Sequence, residues 1–121
     1  MSAGMWIAVA LIGGAGAIAR FVVDGTVAAR AGRSWPFGTL AINLTGSFVL
    51  GLLVGRAVDG DAYILAGTAA IGTYTTLSTW MYETQRLVED GANRAAAANI
   101  VVSFALGVGI AEAGRLIGGL L

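Results

Sequence analysis

The chain has 121 residues and no net formal charge: seven arginines, no lysine, and seven acidic residues. Hydrophobic residues make up 57% and charged residues 12%, with a mean hydropathy of +0.81. A soluble domain is about 25% charged, so this composition predicts a membrane protein. Cysteine and histidine are absent, which excludes a disulfide framework, a thiolate metal site and imidazole chemistry. No basic face for nucleic acid is available. A phosphate loop, HExxH and GxSxG are all missing, so an enzyme is not expected.

Four apolar stretches, 5–23, 36–55, 62–82 and 95–121, each approach the length of about 20 residues that crosses a bilayer. The connections 24–35, 56–61 and 83–94 leave no room for a soluble domain. The expectation is one all-α unit, 1–121, of four transmembrane helices near 4–28, 36–56, 62–85 and 94–119.

In the first helix, the apolar run 5–16 has no positive region before it, so it reads as a retained helix rather than a cleaved signal. Arg20 stands four residues before Asp24. It either pairs with Asp24 at the membrane edge or attracts anions to a vestibule. In the second helix Thr39, Asn43, Ser47, Gly51 and Gly55 recur every four residues and share a face.

The third stretch carries five serine and threonine residues within Gly72–Trp80, inside the charge-free run 62–82. Lipid tolerates such polarity only where protein or a water-lined cavity covers it, so a mid-membrane break is expected here. Thr68, Gly72, Thr76, Thr79 and Glu83 stack on roughly one side, and 83–94 reads as a solvated connector. The fourth helix repeats the pattern with Asn99, Ser103, Gly107 and Ala111.

Serine and threonine can satisfy their hydroxyls on a carbonyl four residues back, but asparagine has no such local escape in lipid. Two asparagines leading polar stripes therefore point to a lined path. Neutral donors can replace the water around a small anion without trapping it. The pairs Gly13/Ala17, Gly51/Gly55 and Gly114/Gly118 are small-xxx-small faces suited to close helix packing. Four helices enclose little polar space, so a conducting unit should oligomerise. Four arginines on one side against two on the other set orientation only weakly. Both orientations together would pair as an antiparallel dimer.

Three motifs carry a family resemblance: Gly13-Gly-Ala-Gly-Ala-Ile-Ala-Arg20-Phe21, Pro36-Phe-Gly-Thr39-Leu-Ala-Ile-Asn43-Leu-Thr-Gly46-Ser47-Phe48, and Gly72-Thr-Tyr-Thr-Thr-Leu-Ser-Thr-Trp80-Met-Tyr-Glu83. In order and spacing they resemble the small dimeric fluoride channels of the Fluc or CrcB type. The resemblance implies a fluoride-exporting channel in the cell membrane, built as a dual-topology antiparallel dimer with two pores. It also implies a structural Na+ at the dimer centre, held by the carbonyls of Gly72 and Thr75. Stripes and resemblance together give an expected ion path of Arg20, Thr39, Asn43, Ser47, Leu77, Thr79, Trp80 and Ser103.

Three positions depart from the family pattern. Leu77 and Trp80 stand where family members carry two phenylalanines, and Thr73 replaces a glycine. Trp80 keeps an aromatic edge and adds an indole N–H donor, whereas Leu77 offers neither. A homodimer or a heterodimer is therefore expected, a second family member supplying the missing ring in the latter. A proton-coupled multidrug or cation exporter would need a carboxylate in the first helix where Gly13 and Gly14 stand. The remaining alternative is a non-conducting subunit.

Overall fold

Ser2 starts the first helix by accepting the Met5 N–H on its hydroxyl at 3.1 Å, which satisfies a first-turn donor. The computed structural model describes residues 1–121. Helix α1 (Ala3–Ala31) ends at Gly32, whose φ of +80° suits glycine and whose N–H returns to the Ala28 carbonyl. Hydropathy placed residues 24–31 in a connection. The helix expected to end near residue 28 instead runs on to Ala31, and the Thr26 hydroxyl is satisfied on the Val22 carbonyl at 2.8 Å.

Helix α2 (Phe37–Gly55) follows Pro36, which lacks the N–H that a helix start leaves unbonded in any case. The third segment, expected over 62–85 with a break, is broken and extends from 60 to 89. It comprises α3 (Gly60–Tyr63), an eight-residue π-helix (Ile64–Ile71), α4 (Gly72–Tyr74), a break, and α5 (Ser78–Glu89). Thr75 makes the break with an extended backbone, φ −79° and ψ 161°. The connector expected at 83–94 shrinks to a short turn, because α5 runs through Glu89 and α6 (Asn93–Leu120) starts directly after it.

Helices α1, α2 and α6 are each long and apolar enough to cross a membrane. Only 16 of 121 residues are buried, and Trp6, Leu11, Phe21, Phe104 and Leu116 all point outward. That surface suits lipid, which is as apolar as leucine. The chain is a multi-pass membrane protein.

Small residues hold it together. A Cβ at Gly51 would run into the Ala111 carbonyl oxygen, and one at Gly114 into that of Phe48. Gly55 meets Arg115 and Gly118 meets Leu52 in the same way. The predicted small-xxx-small faces thus pack α2 on α6 within one chain. Gly13 and Gly16 do the same for α1 against the π-helix and α4, through Ala70 and Thr73. The unusual Thr73 donates its hydroxyl to the Ala69 carbonyl at 2.8 Å, so its polarity is spent inside its own helix.

Candidate ion path at the helix break

Asn43 builds the break. Its Nδ2 donates to the Thr76 carbonyl at 2.9 Å, and its Oδ1 accepts the Thr76 N–H at 2.9 Å. In an unbroken helix that N–H would bond the Gly72 carbonyl four residues back. Asn43 diverts it, leaving the Gly72 carbonyl without its helical donor. Thr76 then precedes the next helix: its Oγ1 accepts the Thr79 N–H at 3.2 Å and so satisfies a first-turn donor.

Two cavities flank this point. The larger, about 420 Å³, is lined by Asn43, Ser47, Leu77, Trp80 and Ser103, with Gly107 and Ala111 continuing the α6 stripe. The second, about 320 Å³, lies toward α1 and gathers Arg20, Asp24, Thr39 and Thr79. Thr76 lines both. The expected ion-path residues are therefore divided between two cavities that meet at the break. The α2 stripe divides as well, since Gly51 and Gly55 are spent on α6.

Several donors are already engaged. Trp80 Nε1–H donates to the Asn99 main-chain carbonyl at 3.0 Å, so the indole contributes its ring to the cavity and not a free donor. Asn99 itself is buried behind the wall, 1% exposed. The Thr39 hydroxyl donates to a Glu83 carboxylate oxygen. Glu83 is thus a half-buried partner of α2, not the first residue of a solvated connector. Its place one turn after Thr79 in the polar stripe was the available signal. Leu77, 67% exposed, projects from the chain at the cavity edge.

Arg20 does not pair with Asp24. Its NH1 donates to the Thr75 carbonyl at 3.2 Å, and Asp24 faces Arg33 at 3.8 Å instead. This bears on a sodium ion. Gly72 offers a carbonyl released from the helix ladder, and no cluster of three acidic or metal-ligating side chains exists. Neutral carbonyl oxygens suit a hard monovalent cation. Gly72 fits that role; Thr75 fits it while sharing its oxygen with a guanidinium. Two carbonyls make half a coordination sphere, so a second chain would have to supply the rest.

Replacing Trp80 with phenylalanine keeps the ring and removes one neutral hydrogen bond. The Asn99 carbonyl keeps its helical N–H partner, so no group is stranded. Thermal unfolding in detergent should show a loss of about 1 kcal/mol; a loss several times larger would show that the indole does more than this bond.

A broken helix flanked by two cavities, one lined by Asn43, Ser47, Trp80 and Ser103 and the other by Arg20, Asp24, Thr39 and Thr79, suits a membrane protein built to pass a small polar species. Comparison with known proteins agrees. The model of the CrcB-like protein family (Camphor Resistance, CrcB) matches residues 7–115, and the chain belongs to that family. It is 58% identical to "Fluoride-specific ion channel FluC 2" of Mycolicibacterium paratuberculosis, over 92% of this chain and 91% of the relative. It is 52% identical to the FluC 2 protein of Mycobacterium bovis, over 97% and 93% of the two chains. "Fluoride-specific ion channel FluC 1" of Leifsonia xyli is 46% identical, over 94% and 86%. These relatives are named as channels, not enzymes.

Proposed function

We propose that this chain is a subunit of a fluoride-specific channel that lets fluoride out of the cell and so lowers its cytoplasmic concentration. The observation that carries the reading is the break held open by Asn43, with polar side chains on both sides, in a chain so similar to proteins named for fluoride. Fluoride is small and strongly hydrated, and a series of amide and hydroxyl hydrogens replaces its water without the tight hold of a full charge. Arg20, already bonded to Thr75, raises the positive potential near the break without standing free in the path.

The broken segment 60–89 serves as the fourth membrane crossing, making 1–121 a single four-helix domain. The exposed cavity walls are completed by a second chain in the antiparallel orientation. In that dimer the Gly72 and Thr75 carbonyls of both chains hold a structural sodium ion, whose contribution is to fix the two breaks against each other.

A second reading concerns the partner. Leu77 projects from the chain at a position where a ring edge would attract an anion. The relatives carry the numbered names FluC 1 and FluC 2. A heterodimer whose other member supplies that ring accounts for both facts.

Cells lacking their own fluoride exporter test the proposal. Expressing this chain, alone or with a second family member, should restore growth in fluoride. No rescue from either arrangement, with the protein present in the membrane, would overturn it. Rescue only with the second member would select the heterodimer.

A further inference from the structure

We propose that Asn99 sets how tightly the larger cavity holds an anion, by competing for the hydroxyl hydrogen of Ser103. The proposal rests on the channel reading above. The orientation of the Asn99 amide follows from its neighbours. Thr84 Oγ1 donates to the Trp80 main-chain carbonyl at 2.8 Å, which leaves its lone pairs to accept Asn99 Nδ2–H at 2.9 Å. The same Nδ2 lies 3.5 Å from the Trp80 carbonyl. With both contacts of Nδ2 made to acceptors, Oδ1 turns to Ser103, whose hydroxyl donates to it at 3.3 Å.

Ser103 lines the cavity and Asn99 does not. A serine hydroxyl has one hydrogen. Ser103 therefore donates either to Asn99 or to an anion in the cavity, never to both. At 3.3 Å the resting bond is longer than the usual 2.7–2.8 Å or so of O–H···O bonds, so an anion can take the hydrogen from it. Trp80 offers no substitute, because its indole N–H is held by the Asn99 main chain. Asn99 thus lowers the affinity of the wall for each anion. Passage requires such weak holding: favourable enough to enter, loose enough to leave.

Asn99→Leu removes the competing acceptor and keeps the branched shape of the side chain, at the cost of some added bulk. It strands nothing, since Thr84 keeps its bond to the Trp80 carbonyl. This gives a sign that loss of a merely structural contact would not. Fluoride binding to the purified full chain, followed by equilibrium dialysis with a fluoride electrode, should tighten about fivefold, the equivalent of one neutral hydrogen bond. Ser103→Ala should abolish the gain, so that the double variant binds like S103A alone. Asn99→Ala removes the same acceptor and should shift binding in the same direction if the leucine chain does not fold. Unchanged or weaker binding in the folded variant, or a gain that persists without Ser103, overturns the proposal. If the unsubstituted chain neither binds nor passes fluoride, alone or with a second family member, the channel reading itself fails and this inference with it. If it does so and N99L does not tighten, only the role of Asn99 falls.

Discussion

Substituting Asn43 with alanine is expected to cut fluoride movement at least tenfold, the largest effect of any single substitution on the path. Alanine removes both bonds that pin Thr76 at 2.9 Å. Left as they are, the half-buried Thr76 N–H and C=O would each lose their partner, at a cost of up to about 1–3 kcal/mol. The chain has one local repair, which is to return the Thr76 N–H to the Gly72 carbonyl and continue the helix. That repair closes the break, withdraws the Gly72 carbonyl and moves Leu77 and Trp80 off the cavity wall. Efflux from liposomes gives the rate, and any dependence of dimer assembly on sodium should weaken together with it. Efflux within twofold of the unsubstituted chain would show that Asn43 does not hold the break.

Gly114→Ala should have one of the largest effects on folding. The added Cβ would sit against the Phe48 carbonyl oxygen and within 3.2 Å of the Leu52 nitrogen, both main-chain atoms of the facing helix. Backbone cannot rotate aside, so α2 and α6 must separate. Overpacking of this kind costs about 1–3 kcal/mol, and the parting also loosens the contacts at Gly51, Gly55 and Gly118. Gly109→Ala is the control: nothing lies within 4 Å of its added Cβ, and alanine is the better helix former. The expected result is a lower unfolding midpoint and less monodisperse protein for G114A, with G109A equal to or above the parent. Equal stability of the two variants would remove the close α2–α6 crossing from the account.

Much of this was legible before any coordinates. Length and hydropathy located the three long apolar helices, because lipid imposes one pattern on every helix it surrounds. The break was legible because five serine and threonine hydroxyls beside a glycine cannot all face hydrocarbon. The glycine spacing on α2 and α6 pointed to close packing, and the structure supplied the partner carbonyls. What stayed hidden was the commitment of individual polar atoms. An i, i+4 stripe places Thr39, Asn43 and Ser47 on one face, but it does not reveal that Thr39 is spent on Glu83 or Asn43 on Thr76. The π-helix rephases the third segment, so Thr68 and Thr76 do not share the environment that a regular helix predicts. Arg20 and Asp24 looked like a local pair because they are four apart. The Thr75 carbonyl, exposed by the break 55 residues later, competes for the guanidinium, and only the fold brings it there.

The most direct measurement is fluoride efflux from liposomes carrying the purified chain, alone and with a second family member, read with a fluoride electrode beside a chloride control. The account predicts rapid loss of fluoride while chloride is retained, from at least one of the two preparations. Folded protein that releases neither anion from either preparation, or both anions at the same rate, would contradict it.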